Sequence, residues 1–209
     1  MIHIACFDIS QLDRTAYETL YALASPERQA RANGYRRQED AYRCIAAEAL
    51  LRHAAGTASN PAILRDPNGK PRINDRENFH FNLSHSGRWV VISWGGSEVG
   101  IDVEQPRENT DFLKITRRHF TPEEQAYVFQ SPDEQSRRFL EIWTKKECYL
   151  KYLGTGLTHP LNTFSTLSLP DLFCHTLHLR DGSCLSLCTP EKSWDLTELL
   201  AEELLSQIP

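Results

Sequence analysis

The chain has 209 residues, 40% of them hydrophobic and 24% charged, with a formal net charge of −5. That length suits one large domain or two small halves around a shared core, with the composition of an ordinary globular protein. The acidic balance excludes a general nucleic-acid binder, and no apolar run reaches the roughly 18 residues that a membrane span needs.

The opening segment, Ile2–Ile9, reads as a strand. It lacks the basic stretch and long apolar run of a secretory leader, so the expected location is cytoplasmic. Six cysteines occur without a CxxC pair, as expected for reduced thiols in such a compartment. Ser25-Pro26-Glu27 starts a helix with serine as cap and proline in the first turn, ending at Gly34. A second helix spans about Arg36 to Ala54, stops at Gly56, and offers Glu39/Arg43 and Glu48/Arg52 as pairs one turn apart. A loop follows through Asp66-Pro67-Asn68-Gly69-Lys70-Pro71. Three strands come next, Phe79–Leu83, Arg88–Trp94 and Glu98–Glu104, with Gly95-Gly96 as a hairpin signal between the last two.

Thr121-Pro122-Glu123-Glu124 is a capping box. Ser131-Pro132-Asp133-Glu134 reads as another, opening a long helix to Leu153 that Gly154 closes. Phe164–Leu169, Cys174–Leu179 and Cys184–Thr189 read as strands, and Asp195–Leu205 as a final amphipathic helix. Helices followed by strands, twice over, imply an α+β fold with helices packed on small antiparallel sheets. Cys174, His175, His178, Cys184 and Cys188 cluster in sequence, but their spacing fits no usual zinc pattern; packing is the expected role.

Three constellations carry chemistry. In Val99-Gly100-Ile101-Asp102-Val103-Glu104, strand alternation turns the three apolar side chains one way and Gly100, Asp102 and Glu104 the other. Carboxylates about 7 Å apart repel by about 2 kcal/mol at an effective dielectric near 20. A divalent cation reverses that sign, and an oxygen-only ligand set favours Mg²⁺. A solvated strand end is the alternative reading. On the long helix, Phe139, Trp143, Lys146, Leu150 and Leu153 form one stripe, with Glu147 and Lys151 one turn apart beside it. The last two also make an ordinary surface pair. Lys146 stands among apolar positions, which surface pairing does not explain. In Phe79-His80-Phe81-Asn82-Leu83-Ser84-His85-Ser86 the apolar residues face a core, while Asn82, Ser84, His85 and Ser86 offer donors for phosphate oxygens. Ser84-His85 lacks the geometry and the GxSxG elbow of a hydrolase.

These segments together resemble the Sfp-type 4′-phosphopantetheinyl transferases, the family named for the surfactin synthetase-activating enzyme. The match runs in order through residues 36–43, Gly69-Lys70-Pro71, residues 81–86, residues 100–104, Trp143-Thr144-Lys145-Lys146-Glu147, Lys151 and Gly154-Thr155-Gly156. It implies an enzyme that moves phosphopantetheine from coenzyme A to a serine of an acyl or peptidyl carrier protein, releasing adenosine 3′,5′-bisphosphate. The implied fold is a pseudo-two-fold pair of α+β halves, residues 1–104 and 105–209, with the active site at the seam and the chain acting as a monomer. By resemblance, Asp102, Glu104 and Glu147 bind Mg²⁺, Glu147 doubles as candidate base, and Lys151 contacts the transferred phosphate. Ser84 and His85 lie along the phosphates, Lys70 near the nucleotide and Arg43 near the adenine end. Arg28 and Arg31 take the place of a lysine pair at the 3′-phosphate. Asp111–Phe120, with Phe112, Leu113, Ile115, Arg117, Arg118 and Phe120, corresponds to the region that receives the carrier, although its apolar residues suit a core equally well. The rivals are a CoA-binding regulator without activity, which loss of the acidic trio would favour, and a Mg²⁺-dependent phosphodiesterase.

Overall fold

Strand β1 (Ile2–Asp8) has every residue buried except His3, which is half-buried. A strand of this kind needs apolar partners on both faces. The computed structural model, which describes residues 1–107, 110–156 and 159–206, supplies one layer for each. Ala5 and Phe7 meet helices α1 (Arg14–Leu23), α2 (Pro26–Asn33) and α3 (Gln38–Ala55) through Leu20, Ala32, Ile45 and Leu50. Ile2, Ile4 and Cys6 point the other way, onto Val99, Ile101, Val103, Leu185 and Leu187 of a second sheet.

The chain between α3 and β4 makes a small hairpin, β2 (Ile63–Arg65) with β3 (Pro71–Ile73), where the sequence reads as a loop. Strands β4 (His80–Ser86) and β5 (Trp89–Gly95) pair antiparallel, from His80 opposite Gly95 to Ser86 opposite Trp89. Their turn is at Gly87, whose φ of 55° suits glycine. Strand β6 (Gly100–Glu104) leaves this sheet altogether. The hairpin expected at Gly95-Gly96 therefore does not form. Val99, Ile101 and Val103 are fully buried against the face of the first sheet rather than at its edge.

The second layer begins with α4 (Phe112–His119), α5 (Pro122–Phe129) and α6 (Gln135–Leu153). The Thr121 capping box forms as read. The one expected at Ser131 does not: Pro132–Glu134 is a 3₁₀ turn, and Glu134 instead pairs with Arg137 and Arg138. Gly154 closes α6 in the left-handed conformation. Residues 164–169 form no strand, because their polar groups are taken by side chains: Phe164 O accepts from Lys146, and Thr166 N donates to Glu124. Strands β7 (Phe173–His178) and β8 (Cys184–Thr189) complete an antiparallel sheet in the order β6-β8-β7.

The expected final helix is divided. Trp194–Leu199 is strand β9, running parallel to β1, and only Ala201–Ser206 is helical (α7). The first sheet thus has the order β4-β5-β1-β9. Trp194 and Leu196, two apart, cover the core between the sheets, whereas Leu199 joins the helical core. The fold is α+β, with helices on small sheets twice over, as the sequence implies. Among the described residues no helix is long and apolar enough to cross a membrane. All six thiols are free; Cys174 faces Cys188 across β7 and β8, and His178 bonds Glu141 (2.9 Å). No zinc-like group of ligands occurs among the described residues.

Candidate active site

The seam between the layers is built by β4, β6 and α6. Gly100 sets the distance between β6 and α6: a Cβ there would meet Cys148 O at 2.0 Å and Tyr152 N at 2.5 Å. Only glycine lets the helix backbone lie so close to the strand. Two residues on, Asp102 and Glu104 face a cleft of about 370 Å³ that Glu147 and Lys151 line from α6, with Ser84, His85 and Trp143.

Asp102 is 4% exposed. Its Oδ1 accepts from Ser84 Oγ (2.8 Å) and Lys151 Nζ (2.7 Å), whereas Oδ2 is buried without a hydrogen-bond partner. Glu104 Oε2 accepts from Ser86 Oγ at 2.7 Å, and Arg107 stands 3.5 Å away. Burial pushes the Glu104 carboxyl above its ordinary pKa, the Ser86 bond opposes the shift, and Asp102 adds to it. Burial, and then the charge of Asp102, pushes Glu147 up to about 7 despite Lys151. The charge of Asp102 thus adds to the proton affinity of both Glu104 and Glu147, and a positive charge among the three suits that arrangement.

This donor set fits Mg²⁺. The orphaned Asp102 Oδ2 and the mutually repelling carboxylates supply hard oxygen ligands. No three acidic, histidine or cysteine side chains among the described residues converge tightly enough to hold an ion unaided. Mg²⁺ commonly completes its shell with water and substrate phosphates, so one or two carboxylates suffice.

The basic residues divide into three groups. Lys151 lies in the cleft. Arg43 donates to Asp40 and to Gly87 O, not to Glu39. With Lys151 and Arg31 it acts electrostatically on His85, whose imidazole is held below its ordinary pKa by burial and then by these cations. Three cations thus act on the one imidazole that lines this cleft, and together they attract anions to it. Arg28 and Arg31 line a neighbouring cavity of about 360 Å³ between α2, α3 and the β2–β3 hairpin. Arg31 bonds only Tyr35 OH (3.1 Å) among the described residues, but Arg28 is tied to Glu48 (3.3 Å). Glu48 therefore pairs with Arg28 and Ser25 and makes no ion pair with Arg52. Lys70 lies inside, 7% exposed, donating to Glu98 (2.8 Å), Val99 O (3.1 Å) and Tyr152 O (2.8 Å). It ties the β2–β3 hairpin to the end of α6.

Lys146 turns away from the cleft. It is fully buried, and its Nζ donates to Glu124 (2.7 Å), Leu161 O (2.6 Å) and Phe164 O (2.8 Å). It therefore anchors α6 to α5 and contributes no second cation beside Glu147. Trp143 lines the cleft, whereas the sequence reading places it only on the apolar stripe of the helix; Ser86, read as a donor for phosphate oxygens, instead donates to Glu104. The signal for Ser86 was present in the strand period: Asn82, Ser84 and Ser86 share one face of β4.

Two family models match the chain. Residues 98–198 match the family model described as 4′-phosphopantetheinyl transferase superfamily, and residues 12–95 match that of the 4′-phosphopantetheinyl transferase N-terminal region. The chain is 30% identical to the 4′-phosphopantetheinyl transferase Sfp of Bacillus subtilis, over 93% of this chain and 95% of that protein. It is 34% identical to the 4′-phosphopantetheinyl transferase gsp of Aneurinibacillus migulanus, over 93% and 90% respectively. A further 4′-phosphopantetheinyl transferase of Bacillus subtilis is 34% identical over 79% of this chain and 75% of its own.

Proposed function

The chain belongs to the 4′-phosphopantetheinyl transferase superfamily, and from that premise we propose that it moves 4′-phosphopantetheine from coenzyme A to a serine of an apo acyl or peptidyl carrier protein. The product left behind is adenosine 3′,5′-bisphosphate. The observation that carries this reading is the meeting of Asp102, Glu104, Glu147 and Lys151 on one cleft beside a group of cations.

In this reading Asp102, Glu104 and Glu147 hold Mg²⁺, which when bound neutralises the pyrophosphate and polarises its oxygens. The carrier serine oxygen forms a bond to the proximal phosphorus, and the bond to the bridging oxygen breaks with adenosine 3′,5′-bisphosphate as leaving group. Glu147 makes no hydrogen bond among the described residues, which leaves an oxygen to take the serine proton. Lys151 exchanges its bond to Asp102 for the transferring phosphate, where charge develops. His85, Arg31 and Arg43 receive the nucleotide phosphates. Lys70, which has all three donors engaged, supports that end of the site from beneath. Residues 1–104 supply the basic nucleotide end and residues 105–209 the helix with Glu147 and Lys151.

The carrier meets α4. Leu113 is exposed there, Arg117 and Arg118 are exposed at the C-terminal end, and an apolar pocket of about 170 Å³ reaches from Phe112, Ile115 and Trp143 to Glu104. Phe120, by contrast, is in the core. A basic, partly apolar face suits an acidic carrier helix. The test is incubation with coenzyme A, Mg²⁺ and a panel of apo-carriers, followed by intact-mass spectrometry and assay of released adenosine 3′,5′-bisphosphate. Modification of at least one carrier, with stoichiometric nucleotide release, is expected. No transfer to any carrier would contradict the proposal.

A further inference from the structure

Strands β4 and β6 belong to different sheets, yet they are joined rung by rung at the seam. One edge of β6 pairs with β8, which leaves alternate N–H groups on its other edge without strand partners. Side chains from β4 take them. Ile101 N–H donates to Asn82 Oδ1 (3.0 Å), Val103 N–H to Ser84 Oγ (3.4 Å) and Gln105 N–H to Ser86 Oγ (3.2 Å). Steps of two on β4 thus match steps of two on β6.

The two serine rungs do more than satisfy backbone. Ser84 Oγ donates to Asp102 Oδ1 at 2.8 Å, and Ser86 Oγ donates to Glu104 Oε2 at 2.7 Å. Each hydroxyl therefore holds a carboxylate and the N–H of the residue after it. In both carboxylates one oxygen is pinned and the other has no hydrogen bond among the described residues. That is the arrangement of a ligand that offers one oxygen to a metal. The asparagine rung falls opposite Gly100, where the α6 backbone leaves no room for a side chain.

We propose that Ser86 is a positioning residue of the metal site, holding Glu104 and the end of β6 in the geometry in which Glu104 offers Oε1 to Mg²⁺. The inference rests on the assignment of Asp102, Glu104 and Glu147 as the Mg²⁺ ligands. Ser86 itself is 5% exposed and lies one residue beyond His85, on the opposite face of the strand, so it acts through Glu104. Partners of metal ligands commonly change metal affinity by 10–100-fold when removed.

The experiment compares wild type, Ser86→Ala, Ser86→Thr and Glu104→Ala by three readouts. These are thermal melting, the Mg²⁺ concentration that half-saturates transfer, and direct Mn²⁺ binding in the presence of coenzyme A by electron paramagnetic resonance. Ser86→Ala should raise the half-saturating Mg²⁺ and weaken Mn²⁺ binding, each on the order of tenfold, with a smaller change in turnover at saturating metal. Ser86→Thr, which keeps the hydroxyl, should return both to within about threefold of wild type. Wild-type metal dependence in Ser86→Ala, with or without a lower melting temperature, would overturn the role of Ser86 while leaving the site assignment intact. Unchanged Mn²⁺ binding in Glu104→Ala would overturn the site assignment, and the role of Ser86 with it.

Discussion

Replacing Lys146 by methionine probes how α6 is held. The side chain keeps its length and loses its charge, in a place with no exposed surface. Its ammonium has three bonds: Glu124, Leu161 O and Phe164 O. Glu124 is equally enclosed, accepting from Thr121 N–H and from the N–H and hydroxyl of Thr166. Lys146→Met therefore leaves a buried carboxylate without its counter-charge, a change that costs about 3–5 kcal/mol. For a chain of this size each kcal/mol lowers the melting temperature by about 2–4 °C, so the expected loss is about 6–20 °C. Adding Glu124→Gln removes the stranded charge while keeping an acceptor for Thr166, and the double variant should recover part of the loss. Circular-dichroism melts of the four proteins of the cycle provide the assay. A single variant melting within about 2 °C of wild type, or strict additivity of the two changes, would refute the claim that this pair anchors α6.

Three further outcomes follow from other parts of the structure. Burial raises the Asp8 carboxyl, but bonds from Arg88 and Ser10 outweigh it and hold the group below its ordinary value, so its stabilising contribution exists above the unfolded pKa and disappears as pH falls through the lower native one. Melting temperature should therefore drop as pH falls below about 4, and Asp8→Asn should flatten that part of the profile; an unchanged profile contradicts the assignment. Lys151→Ala should transfer phosphopantetheine at least about tenfold more slowly than wild type under saturating coenzyme A while keeping its fold by circular dichroism, and wild-type turnover would contradict a role for Lys151 at the transferred phosphate. Dephospho-coenzyme A should be a poorer donor than coenzyme A, and Arg31→Ala should shrink that difference more than Arg28→Ala, because Arg28 is tied to Glu48; equal use of both donors by wild type refutes the reading.

Local signals made much of this legible in the sequence. Ser25 and Thr121 cap the helices they precede, and Gly56 and Gly154 end theirs, because capping depends on a few adjacent residues. Alternation in Gly100–Glu104 turned Asp102 and Glu104 to one side, and the structure places both on the cleft. Sheet membership was not legible. β5 and β6 are separated by a glycine pair that reads as a hairpin, and only the burial of Val99, Ile101 and Val103 between layers sends β6 to β8. Trp194–Leu205 carries both a period of two and a helical pattern, and pairing with β1, nearly the whole chain away, decides the first half. Lys70 looked available because charge is usually exposed, and Lys146 stood out on an apolar stripe without a visible partner; the burial of both depends on carbonyls and carboxylates distant in sequence. Ser86 was visible as a donor for phosphate beyond the end of the expected strand, but its bond to Glu104 exists only because β4 and β6 meet at the seam.

Asp102, Glu104 and Glu147 are proposed to form one Mg²⁺ site that drives transfer. Its most direct test is the rate of phosphopantetheine transfer to an apo-carrier, by intact-mass spectrometry, across a Mg²⁺ titration for wild type and for Asp102→Ala, Glu104→Ala and Glu147→Ala. Wild type should require the metal, and each variant should lose at least about a hundredfold in rate at limiting Mg²⁺ while keeping its fold by circular dichroism. Metal-independent transfer by wild type, or near-normal rates in all three variants at limiting Mg²⁺, would contradict it.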